Sequence, residues 1–118
     1  MKKLLLAISF LFVFSICSKS QTMTSAKDTI KVLFENDKMV VTEYVSTPGK
    51  DVCGLGKHSH KPHLTVMLTD ASVKLMKDNE EPKIINLKAG DVFWSEAETH
   101  MVINNGTKPT KVYLVVPK

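Results

Sequence analysis

Four histidines carry the chemistry that this sequence can do, and three of them are crowded into one run, Lys57-His58-Ser59-His60-Lys61-Pro62-His63. Histidine is the commonest transition-metal ligand among the side chains. His58 and His60 are two residues apart, so on an extended strand their rings project from the same face. Two imidazoles so placed form half of a metal site without any backbone distortion. Pro62 bends or ends that segment. His63 then opens a new extended run in which His63, Thr65 and Met67 share one face, and Leu64, Val66 and Leu68 share the other. His100 opens a further run, in which His100, Val102 and Asn104 share a face. The chemistry expected of such a set is coordination of a divalent ion, with surface histidines on a loop as the alternative.

Two other groups stand near these histidines in the chain. Glu98 lies two residues before His100. It is read either as a proton-transfer group or partner of a ligand, or as part of a solvated acidic turn, Glu96-Ala97-Glu98. Cys53 lies five residues before His58 and is either a small buried residue or a thiol near the site. Phe93 and Trp94 alternate in and out on one extended segment, so one of them is expected to line the interior as core. Met67, Met76 and Met101 read as packing.

The elements that must position these groups are short and extended. Ile30 to Phe34, Met39 to Val45, Leu64 to Leu68, Ser72 to Lys77, Lys83 to Leu87, Val92 to Trp94, His100 to Ile103 and Lys111 to Val116 have strand character. Turn residues separate them: Asn36-Asp37, Thr69-Asp70-Ala71, Asp78 to Pro82, and Asn104-Asn105-Gly106, the strongest turn signal in the chain. Gly54 and Gly56 read as a turn delivering His58 to its strand. No window beyond the N-terminus keeps helical apolar spacing. About eight short strands at regular spacing indicate a sandwich or barrel.

The run 57–63 resembles the first motif of the cupin family, whose core is His-x-His followed by a Glu. The segment 88–105 resembles the second motif through Gly90-Asp91, His100 and Asn104. The two motifs together span most of the chain after residue 40. The resemblance implies an all-β fold, a double-stranded β-helix or jelly-roll barrel. It also implies a divalent metal ion (iron, manganese, nickel, zinc or copper) inside the barrel. Carried over, the ligands are His58, His60 and His100. The motif's Glu is missing and its position falls on His63, which either replaces it or leaves a three-histidine centre of the kind found in cupin-type dioxygenases. Glu98 becomes the candidate catalytic carboxylate. The implied functions are a metal-dependent dioxygenase or isomerase acting on a small molecule, or a non-catalytic module that binds a metal or small molecule. Cupins commonly pair as homodimers, which is the expected assembly.

The ends and the composition set the surroundings. Lys2-Lys3, the apolar run from Leu4 to Ile16, and Ser18-Lys19-Ser20 before Gln21 have the order of a secretory signal peptide. The expected organisation is a signal peptide helix over 1–20, a flexible lead-in over 21–28 and a barrel over 29–118, exported to the periplasm or secreted. The apolar run is shorter than the about 20 residues of a membrane span, so no stable span is expected once the signal is cleaved. An uncleaved anchor is the alternative. A lipid attached at Cys17 is weakened by the bulky Ile16 before it. The formal net charge of +4 is largely carried by the three lysines of the signal, so it points to no acidic partner. No basic stripe or aromatic-rich motif supports nucleic-acid binding. The chain has no arginine, which removes bidentate clamping of carboxylates and phosphates.

Overall fold

The structure, a computed structural model, describes residues 27–118. The expected signal peptide and the first part of the lead-in lie outside the described residues. Asp28, expected to be flexible, is tied down. Its Oδ1 accepts bonds from the Thr47 backbone N–H at 2.6 Å and from the Thr47 hydroxyl at 2.7 Å.

Nine strands follow: β1 (Thr29–Glu35), β2 (Met39–Ser46), β3 (His58–His60), β4 (His63–Met67), β5 (Ala71–Met76), β6 (Lys83–Leu87), β7 (Val92–Ser95), β8 (Glu98–Asn104) and β9 (Thr110–Pro117). They form a five-stranded sheet, β1-β2-β9-β4-β7, and a four-stranded sheet, β3-β8-β5-β6. Every pairing is antiparallel. From β3 onward the chain passes back and forth between the two sheets, which is the winding of a double-stranded β-helix. The strand spacing left a sandwich or a barrel; the barrel implied by the family resemblance is what forms, with His58–His60 (β3) added to the eight strands expected.

Alternation along the strands decides what faces the interior. On β4, His63, Thr65 and Met67 are buried while Leu64 and Val66 are partly exposed. On β9, Thr110, Val112 and Leu114 are buried in the same rhythm. Cys53, Met67, Val112 and Leu114 form the apolar core, with Tyr44, Val52, Ala71 and Leu87 packed against it. Buried polar side chains are as prominent as this core: Thr42, Ser46, His63, Thr65, His100, Asn104 and Thr110. A buried polar group is costly unless it has a partner or a task, so the polar interior marks the barrel as a site as well as a core.

Asn104 shows how one such group is satisfied. Its Nδ2 donates to the carbonyls of Ser46 at 3.0 Å and Lys108 at 2.9 Å, and its Oδ1 accepts from the Gly106 N–H at 3.0 Å. The Asn104-Asn105-Gly106 turn thus leads the chain out of β8 toward β9 in the other sheet, and Asn104 ties it to the end of β2.

One expectation is corrected. Neither Phe93 nor Trp94 is core: they are 38% and 50% exposed. Among the described residues their strand, β7, is the edge of its sheet, pairs only with β4 and has no strand beyond it, so that it becomes a rim.

Candidate metal centre

The pairing of β3 with β8 builds the site. His58 stands opposite His100 and His60 opposite Glu98 in the ladder. Directly opposed residues share a face, so two histidines far apart in the chain become neighbours. Pro62 ends β3, and the chain crosses to the other sheet, where His63 opens β4. The four rings converge at this corner. Ring centroids are 4.3 Å apart for His58–His60, 4.8 Å for His60–His63, 4.9 Å for His60–His100 and 5.4 Å for His58–His100. All four histidines expected from the sequence are thus brought together.

Hydrogen bonds select one nitrogen on three of these rings. Nδ1 of His58 lies 2.6 Å from the Gly56 carbonyl, Nδ1 of His63 lies 2.8 Å from the Lys61 carbonyl, and Nδ1 of His100 lies 2.7 Å from Oε1 of Glu98. A carbonyl or carboxylate only accepts, so each Nδ1 carries the proton and each Nε2 keeps a lone pair. That pattern, one nitrogen pinned and the other left bare, is how metal-binding histidines are oriented. Nε2 of His58 and Nε2 of His60 are 2.6 Å apart. Two lone pairs cannot face each other at that distance without a proton or a cation shared between them.

His100 gives the sharpest test of fit. It is 7% exposed, and its Nε2 is buried with no hydrogen-bond partner. An orphaned ring nitrogen in a folded interior costs about 1–3 kcal/mol unless something binds it. The donor set therefore fits a transition ion. Burial, together with the nearby His58 and His63, keeps the His100 pKa below the ordinary value even though Glu98 pulls it up. Burial and the surrounding rings push His60 down to about 4. Both are neutral near pH 7, the state a metal requires.

Glu98 is half-buried at the start of β8 and is not a solvated turn. Its Oε1 accepts from His100 and its Oε2 pairs with Lys77. Burial raises its pKa, but the bonds from Lys77 and His100 outweigh burial and hold it below the ordinary carboxylate value. It is therefore ionised at neutral pH and orients an imidazole. The expectation of a partner for a ligand fits this geometry better than that of a proton donor.

Sequence spacing left the place of Cys53 open. Its Sγ lies 3.5 Å from Nε2 of His60. The ligand atoms of Cys53, His58 and His60 all fall within 4.8 Å of one another. Burial, and then Asp51, push its thiol pKa up to about 12. The free thiol is thus protonated and inert until something displaces its proton. Lys77, whose ammonium fixes Glu98, had no signal in the sequence, because its partner sits on a different strand.

These groups open onto a cavity of about 510 Å³. His60, His63, His100, Glu98, Lys77 and Cys53 line it beside Met67, Val73, Leu75, Leu87, Val112 and Leu114. Phe93, Trp94 and Glu96 reach it from β7 and the turn beyond, and Trp94 Nε1 donates to Glu96 at 3.0 Å. His58 stands behind His60, outside the wall. A mostly apolar cavity of that size with a few polar groups at one end suits a small organic molecule.

The sequence matches no protein-family model and no curated protein. Solved structures do resemble it. A cupin domain from Bordetella pertussis is 24% identical, covering 77% of this chain and 93% of that one, with a TM-score of 0.69. An RmlC-like cupin with a double-stranded β-helix fold from Methanocaldococcus jannaschii is 13% identical, covering 80% and 84%, with a TM-score of 0.64. The polyketide cyclase RemF from Streptomyces resistomycificus is 19% identical, covering 76% of this chain and 64% of its own, with a TM-score of 0.60. The winding of the strands, the enclosed histidine corner and these likenesses agree: the chain has the cupin fold, a double-stranded β-helix.

Proposed function

We propose that this protein binds one divalent transition-metal ion through His58, His60, His63 and His100 and uses it on a small, largely apolar molecule held in the barrel. The observation that supports this most is the buried, partnerless Nε2 of His100 in a cluster of four imidazoles, of which His60, His63 and His100 line one cavity.

A bound ion would act as a Lewis acid toward an oxygen of that molecule, the chemistry shared by metal-dependent dioxygenases and isomerases. The protein's own groups supply the rest. Glu98 holds the His100 ring in place and keeps its Nδ1 proton engaged. Lys77 holds Glu98 ionised and sets a positive charge at the polar end of the cavity. Met67, Val112 and Leu114, packed with Cys53, give the cavity an apolar lining beside the histidines. Phe93 and Trp94 form the rim that a ligand must pass. Without arginine, the site has no fork for a carboxylate or phosphate, which favours a neutral or weakly acidic oxygen, as in a phenol or diketone. The RemF likeness adds an enzyme to the proteins sharing this architecture, but fold alone does not name a reaction. The reading includes export, which rests on the Lys2-Lys3 start and the apolar run that follows.

The test is elemental analysis of untagged protein beside His58→Ala and His100→Ala. The wild type is expected to hold about one ion per chain by the donor count of such sites, and each variant to lose most of it. Full occupancy in both variants would refute the reading. Oxygen uptake by iron-loaded protein across thiols, diketones and phenols then separates a dioxygenase from a binding module, which would show affinity without turnover.

A further inference from the structure

Building on the histidine centre just proposed, we propose that Cys53 is its anionic ligand, making it a mixed imidazole–thiolate site that prefers zinc to magnesium, calcium or manganese.

Four neutral imidazoles bring no charge to a dication in a half-buried cavity, and an uncompensated buried charge is costly. The two carboxylates that line the cavity are already engaged. Both oxygens of Glu98 are taken, one by His100 and one by Lys77. Glu96 sits at the exposed rim and accepts from Trp94. Asp51, whose Oδ1 accepts the N–H groups of Cys53 at 2.8 Å and Gly54 at 3.1 Å and whose Oδ2 is buried without a partner, does not line the cavity. Among the described residues lining the cavity, Cys53 is the anion-capable group left within reach.

The thiol is placed by the fold. The loop that carries it hangs from β8, the strand of His100. The Val52 N–H donates to the Val102 carbonyl at 2.7 Å, and Asp51 bridges to Ile103. The Asp51 side chain then closes the turn at Cys53, and Gly54 and Gly56 adopt positive φ values of 72° and 66° that return the chain to β3. Cys53 and His58 are thus fastened to one strand from both ends of a short loop. The sulphur reaches Nε2 of His60 at 3.5 Å. An independent feature points to an ion at this corner: the partnerless Nε2 of His100, on a side chain 7% exposed that lines the same cavity. A thiolate among imidazoles selects soft or borderline ions, whereas hard ions want oxygen. On binding, the sulphur–metal bond forms as the S–H bond breaks, and the proton leaves to solvent.

Cobalt(II), added to the full-length metal-free chain as a probe of the zinc site, gives the test. The expected spectrum has visible ligand-field bands and a near-ultraviolet sulphur-to-cobalt charge-transfer band. Cys17→Ala should keep both, and Cys53→Ala should lose the charge-transfer band alone. Zinc-edge X-ray absorption of the Cys17→Ala chain needs no change in the core. It should show a sulphur neighbour at about 2.3 Å. Ligand-field bands without charge transfer in the wild type, or zinc surrounded by nitrogen and oxygen only, would overturn the thiolate ligand and leave the histidine centre standing. A charge-transfer band that survives Cys53→Ala would overturn it equally. Failure to bind either cobalt or zinc would remove the histidine centre and this proposal together.

Discussion

Glu98 and His100 face the same way at the start of β8, and the carboxylate accepts the imidazole Nδ1 proton at 2.7 Å. Because Lys77 holds the other oxygen of Glu98, the ring of His100 is fixed from behind while its Nε2 points into the interior. Removing such an orienting partner typically weakens metal binding about 10–100-fold. Glu98→Gln is expected to fall in that range while the fold stays intact. A zinc titration against a chromophoric chelator measures it. An unchanged zinc affinity would mean that the bond orients nothing of consequence.

Acid should loosen the metal-free protein in a defined window. The ordinary histidine value is 6.5, and burial with the neighbouring rings lowers His60 to about 4. Between those values the unfolded chain takes up a proton that the folded chain refuses. Stability therefore rises with pH across the window, and it is lost as pH falls from about 6.5 toward 4. His100, lowered for the same leading reason, adds to the effect. Melting temperatures measured from pH 7.5 to 4 should show the slope, and His60→Gln should flatten it. A flat wild-type profile would contradict the burial argument.

Asn104 holds three backbone groups at the junction of β2, β8 and β9. Asn104→Ala leaves those groups to seek water in a buried place. The expected loss of stability is about 2–3 kcal/mol, near the upper range for orphaned buried groups. Urea unfolding should register it as a lower midpoint with an unchanged slope.

Trp94 is the chain's one tryptophan and stands half-exposed at the cavity rim. A ligand entering the barrel must alter its surroundings. Small phenols or diketones that bind are expected to shift or quench its emission, with saturation tracking occupancy. His60→Ala should weaken that response for ligands whose oxygen needs the metal. Binding seen by calorimetry with no change in emission would place the ligand elsewhere.

Several features of this molecule were legible in the sequence because they are local. The alternation in His63-Leu64-Thr65-Val66-Met67 assigns its inner face without knowledge of any partner strand, since side chains repeat every two residues. The pair His58 and His60, the break at Pro62 and the turn at Asn104-Asn105-Gly106 are of the same kind. Family likeness of the two histidine motifs added the barrel. What tertiary structure alone decided is non-local. The register that sets His58 opposite His100 depends on how a three-residue strand seats on β8. The tie of Glu98 to Lys77 joins the start of β8 to the residue after β5. The approach of Cys53 to His60 depends on a loop hung from β8 by backbone bonds. The exposure of Phe93 and Trp94 follows from β7 lying at a sheet edge. Short-range periodicity says which way a side chain points, but only the closed barrel, in which every strand's neighbours are settled at once, says what it meets there.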